Sequence, residues 1–300
     1  MRSIRVANAP CSWGVLEFET NRSAPFAQVL DEMRATGYEG TELGDWGFMP
    51  TRPADLAREL ARRDLQLVGA FVPIAFARRE THDAGVEAAL RTARLLREAN
   101  ASDALVVLSD DNAAIPLRES RAGRIRDEDG LSMRDWATFV EGVTRVAGAV
   151  RDETGLRSVF HPHGGGYVET VPEIDALMSR TDPSLLGLCL DTGHIMYGGG
   201  DPLDVLERHA GRVWHVHFKD YDSTVASDAR RRELGYLATV RAQVFCELGA
   251  GAVDFAAIVA ALRRHQYGGW IVVEQDVFPG QGTPVESARR NRQFLRSIGI

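Results

Sequence analysis

Short apolar runs alternate with one-sided amphipathic stretches along the whole chain, and this repeat limits the fold more than any motif does. The apolar runs are Ile4–Ala9, Glu39–Leu43, Leu65–Val72, Ala104–Leu108, Arg157–His161, Gly187–Asp191, Val213–Phe218 and Trp270–Gln275. After each comes a stretch whose apolar residues recur at three- and four-residue spacing, as in PADLARELARRD or AGVEAALRTARLLREAN. That spacing predicts a helix with one buried face. Eight strand-plus-helix units within 300 residues is the count of a (β/α)8 TIM barrel. A doubly wound sheet normally has fewer units and a glycine-rich turn after its first strand. Here the first run continues into NAPCSWG, which lacks that turn.

No linker, low-complexity tract or shift in composition divides the chain, so residues 1–300 are read as a single domain. The longest stretch without periodicity, Ser109–Ser132, is charged and is expected to be a surface loop over one barrel end. A net charge of −7 disfavours a phosphate-backbone partner, because nucleic-acid binders present a basic face. Cys11, Cys189 and Cys246 have neither disulfide-framework nor CxxC spacing, and no apolar run approaches the length of a membrane span. Those features point to a cytoplasmic protein with neither nucleic acid nor membrane as partner.

In a (β/α)8 barrel the chemistry gathers at the C-terminal ends of the strands. The last four runs end in His161 and His163, in Asp191 followed by His194, in His215 and His217 followed by Lys219, and in Glu274 followed by Asp276. A single histidine at such a place is ordinarily hydrogen-bonded structure, and a single carboxylate such as Asp191 often caps the next helix. Four consecutive ends are different. Ionisable groups collected about one axis cost desolvation unless something offsets it, and a divalent cation with mixed oxygen and nitrogen ligands does so. The glycine signals carry less. HGGG has no accompanying GxSxG, and LGAGAVDF places Asp254 where a dinucleotide fingerprint needs its third glycine.

CLDTGH, HVHFKD, VVEQD and ELGAGAVDF together resemble the xylose-isomerase-like TIM-barrel superfamily of sugar isomerases, epimerases and dehydratases. NAPCSWGVLEFE and DEMRATGYEGTELGDWGFMP look most like its inosose dehydratase branch. The resemblance spans nearly the whole chain. It implies one divalent metal, manganese or cobalt first and zinc, iron or magnesium as alternatives, held by Glu, Asp, His and Glu at strands five to eight. Asp191, His217 and Glu274 match the last three of those ligands, and His194 matches a histidine that contacts substrate oxygens. The chain departs from the pattern at strand five, where His161-Pro162 stands in place of Glu-Pro. Glu169 in the following loop has a family counterpart and is the expected fourth ligand, with His161 or His163 as the alternative.

That departure favours elimination over epimerisation, since two opposed metal-bound glutamates no longer face one carbon. A dehydratase needs a base for the proton α to a ketone and an acid for the departing hydroxyl. The metal polarises the ketone and stabilises an enediolate. His161, Glu274 and His194 are the expected catalytic residues. Trp13, Glu17, Glu42, His163 and Lys219 are the expected contacts to a small polyol or keto-sugar, and His215 is expected to orient a ligand. The resemblance thus implies a metal-dependent lyase acting on a keto-polyol such as an inosose, monomeric or homo-oligomeric. An isomerase or epimerase with the same site is the runner-up. A nuclease like the AP endonucleases is disfavoured by the acidic charge, and a non-catalytic polyol-binding protein would not need clustered ligands.

Overall fold

Eight parallel strands close on themselves in chain order. They are β1 (Arg5–Asn8), β2 (Gly40–Glu42), β3 (Gln66–Ile74), β4 (Leu105–Asp110), β5 (Arg157–Phe160), β6 (Leu186–Asp191), β7 (Val213–Phe218) and β10 (Trp270–Val273), and β10 pairs back with β1. The computed structural model describes residues 3–15, 24–112, 115–277 and 282–300. The fold is the (β/α)8 barrel that the alternating pattern predicts.

Strand alternation divides the apolar residues between two environments. Val6, Val106, Leu108, Ile271 and Val273 face outward and pack with the surrounding helices into one large cluster. Ala7, Ala9, Val68, Trp270 and Val272 form one smaller cluster, and Leu105, Val107, Val159 and Cys189 form another. The helices are set by local signals. Ser132 accepts the Asp135 N–H at the start of the Met133–Thr154 helix, and Gly155, at φ +72°, ends it in the left-handed conformation. Thr170 and Glu173 form a capping box at the start of Val171–Arg180.

Two regions differ from the sequence expectation. Ser109–Ser132 is not irregular throughout, because it contains a helix at Pro116–Arg121 and a 3-10 turn at Asp127–Asp129. Its periodicity is hidden because the residue it buries completely is Arg118. The single helical stretch expected around 228–243 is two helices, Ser223–Arg231 and Tyr236–Arg241, flanked by an antiparallel ribbon of β8 (Asp220–Tyr221) and β9 (Phe245–Cys246). Two-residue strands are too short to show alternation. The last barrel strand also stops at Val273, short of Gln275.

Asp220 organises that ribbon and the glycine loop beyond it. Its buried carboxylate accepts the N–H groups of Tyr221 at 2.8 Å, Val253 at 3.1 Å, Gly249 at 2.8 Å and Gly251 at 2.9 Å. The glycines of LGAGAVDF therefore bring the backbone onto an aspartate of the protein itself. Replacing Asp220 by alanine leaves four donors without their acceptor and should cost roughly 3–5 kcal/mol in urea unfolding. Asp220→Asn, which keeps one acceptor oxygen, should cost less.

Candidate metal centre

His161, Asp191, His217 and Glu274 each offer one ligand atom, and these four atoms lie within 4.8 Å of one another. The strands explain the convergence. His161 follows β5, Asp191 ends β6, His217 lies one residue before the end of β7, and Glu274 follows β10. β7 and β10 are in register at His217 and Val272, and β6 pairs Asp191 with His217.

Asp191 does two things at once. Its Oδ1 accepts the His194 N–H at 2.8 Å, capping the helix Thr192–Tyr197. Its Oδ2 faces His161 Nε2 at 3.3 Å and His217 Nδ1 at 3.7 Å. The capping role and the ligand role, alternatives in the sequence, belong to different oxygens of one side chain. His217 Nδ1 also lies 3.4 Å from Glu274 Oε1. His217 Nδ1 and His161 Nδ1 are both buried without a hydrogen-bond partner.

Charge in this group is set by its neighbours. Burial alone would raise Glu274, but His217 and Lys219 outweigh it and bring the carboxyl down to about 2. Burial likewise opposes ionisation of Asp191, yet His194, His161 and His217 hold it well below the usual carboxylate range. Two ionised carboxylates and two imidazoles around unpartnered ring nitrogens fit a divalent ion such as manganese, cobalt, zinc or iron.

His161, His217 and Glu274 line a half-open cleft of about 650 Å³, part of it open to solvent, whose walls also include Glu42, Phe71, His163, Lys219, Tyr236 and Asp276. Lys219 reaches Glu274 Oε2 and Asp276 Oδ2, each at 3.2 Å. Burial disfavours its ammonium, but Asp276, Glu274 and Asp191 raise it well above the usual lysine value, so it stays charged. His163 stacks on His194 with ring centroids 4.0 Å apart. Burial is the first cause that keeps both rings neutral, taking His163 down to about 3 and His194 well below its ordinary value. His194 is buried behind the wall, with Nε2 3.5 Å from Lys219 Nζ.

Other expected residues fall elsewhere. Glu169 is not in the four-atom group. Its Oε1 accepts the Gly123 N–H at 2.6 Å and its Oε2 the Gly165 N–H at 2.7 Å, where Gly165 sits at φ +83°. A carboxylate so occupied ties the loop after β4 to the loop after β5, and His161 stands at the fourth position instead. Trp13 is a buried core residue, not a wall of the cleft, and its indole N–H donates to Glu32 at 2.7 Å. Glu17 lies outside the described residues. Glu42 enters the cleft, but its carboxylate is engaged by His215 at 2.7 Å and His217 at 3.0 Å. Tyr236 escaped the sequence reading because it comes from the insertion after β7. Asp276 stood among the ionisable groups after the eighth run, without a role of its own.

Barrel and site together define a TIM barrel with a buried histidine–carboxylate cluster at its C-terminal mouth. The sequence model of the xylose isomerase-like TIM barrel family matches residues 30–298, and the chain belongs to that family. An inosose dehydratase of Lacticaseibacillus casei is 32% identical over 294 residues, covering 98% of this chain and 96% of that protein. Another, from Salmonella typhimurium, is 32% identical over 298 residues, covering 99% and 97%. Among solved structures, the IOLI protein with a bound zinc atom superposes with a TM-score of 0.71 at 14% identity, covering 98% of each chain. That likeness concerns the fold.

Purified protein should carry about one divalent ion per chain by elemental analysis. His161→Ala and Glu274→Ala should weaken its binding at least about 100-fold in a chelator competition, whereas Glu169→Gln should change it less than about 3-fold.

Proposed function

We propose that this protein is a metal-dependent dehydratase of a keto-polyol such as an inosose, a carbon–oxygen lyase. The observation that carries the reading is full-length similarity to proteins named inosose dehydratase, joined to the four-atom cluster. His161, Asp191, His217 and Glu274 would hold the ion, manganese or cobalt foremost. When bound, the ion supplies Lewis-acid polarisation of the ketone.

The residues around it are suited to move protons. Elimination takes the proton from the carbon α to the ketone and expels the β-hydroxyl, which leaves as water once protonated. Glu274, with Oε2 turned to the Lys219 side, is the base in this reading. Lys219, charged and lining the cleft, is the acid for the departing hydroxyl in this reading. His194 backs Lys219 from behind the cleft wall. Gly164 N–H donates to its Nδ1 at 3.2 Å, so the neutral ring carries its proton on Nε2. Phe71 and Tyr236 give the cleft apolar faces for the C–H surface of a polyol ring.

Incubation of the metal-loaded protein with a keto-inositol should give a product lighter by one water, with a new conjugated-carbonyl absorbance. Unchanged mass with altered stereochemistry would replace the reading with an epimerase. His194→Phe should lower kcat/KM by about 100-fold or more, read in the same assay.

A further inference from the structure

We propose that Glu42 is a positioning residue for the metal centre, fixing His217 in the tautomer that turns Nδ1 towards Asp191 and Glu274. The inference rests on the metal-centre reading above and assigns a task to a residue that otherwise looks like a substrate contact.

The chain departs from regular geometry on two strands to admit this one carboxylate. Pairing between β2 and β3 runs Gly40 with Gln66 and Thr41 with Leu67, then jumps so that Glu42 faces Gly69. Such a register shift re-aims the side chain that follows it. On the facing strand, a Cβ at position 69 would come within 2.9 Å of Glu42 Oε1. Glycine at 69 therefore leaves room for the carboxylate. The side chain enters the barrel almost fully buried, at 3% exposure.

Once there, Glu42 Oε1 lies 2.7 Å from His215 Nε2 and 3.0 Å from His217 Nε2. A carboxylate oxygen only accepts, so both rings donate through Nε2–H. With its Nε2–H committed to Glu42, His217 can offer a cation only Nδ1. That atom is the one without a hydrogen-bond partner, 3.4 Å from Glu274 Oε1 and 3.7 Å from Asp191 Oδ2. Beside two carboxylate oxygens that nitrogen carries either a proton or a cation, and an ion among the three atoms takes the proton's place. Orientation of a ligating imidazole by a carboxylate on its far nitrogen characteristically changes metal affinity 10–100-fold. His215, the other donor to Glu42, holds the carboxylate in place.

Zinc is the probe for the test, because it is diamagnetic. In long-range proton–nitrogen spectra of the zinc-loaded protein, His217 should be coordinated through Nδ1 and carry Nε2–H; coordination through Nε2 would overturn the proposal. Competition with a chromophoric chelator should show zinc bound 10–100-fold more weakly by Glu42→Gln. In the same variant the His217 Nε2–H proton should move upfield as it loses its charged acceptor, a change that general loosening of the fold would not confine to that ring. Zinc affinity within twofold of wild type would sink the idea. Should Glu42→Gln fail to fold, Gly69→Ala, which displaces the carboxylate, is read against the same two outcomes. Absence of zinc binding by the wild type would overturn the metal-centre reading as well, whereas normal wild-type binding unaffected in both variants overturns this inference alone.

Discussion

The balance of charge in the barrel mouth is the constraint to which the rest of the structure answers. Glu42, Asp191, Glu274 and Asp276 are largely buried carboxylates at the barrel mouth, and the half-buried Asp45 joins three of them in lining the cleft, against the single ammonium of Lys219. An isolated buried carboxylate costs several kcal/mol, and each of the first four survives because a specific donor meets it. Glu42 meets two imidazoles, Asp191 a helix N-terminus and two imidazoles, and Glu274 and Asp276 share Lys219. Carboxylates and partners together come from the ends of five strands, so the charges can coexist only while the barrel is closed. The fold and the chemistry of its mouth stabilise one another.

The sequence disclosed what obeys a period and concealed what breaks one. Eight apolar runs and their helices announce the barrel because alternation and helical spacing are the same physics that buries them. Asp191, His217 and Glu274 were legible because they stand at or next to the ends of such runs. His161 stood open against Glu169, and only three dimensions show Glu169 already satisfied by two backbone N–H groups. Trp13 failed as a substrate contact for a similar reason: an aromatic after a strand end reads alike whether it faces the cleft or the core. The work of Glu42 was hidden because it depends on a register shift and a glycine on the neighbouring strand, neither of which leaves a mark in either segment alone.

Arg118, which the sequence left in a surface loop, is an internal tie between two segments of the barrel rim. Arg118, wholly buried, donates to Gly166 O at 2.7 Å and to both oxygens of Glu173, at 2.7 and 2.9 Å. Glu173 in turn accepts the N–H groups of Glu169 and Thr170. The charged composition of Ser109–Ser132 thus reflects an internal ion pair as well as solvation, which hydropathy alone cannot separate.

This stitching has a consequence for how such a barrel can be altered. Loops of a TIM barrel are commonly treated as interchangeable parts carried on a fixed frame. Here the loop after β4 and the loop after β5 share Glu169, Arg118 and Glu173, so neither is a separable module. Recombination that imports one without the other would strand a buried charge. The smallest heritable or transplantable unit at this rim is the pair.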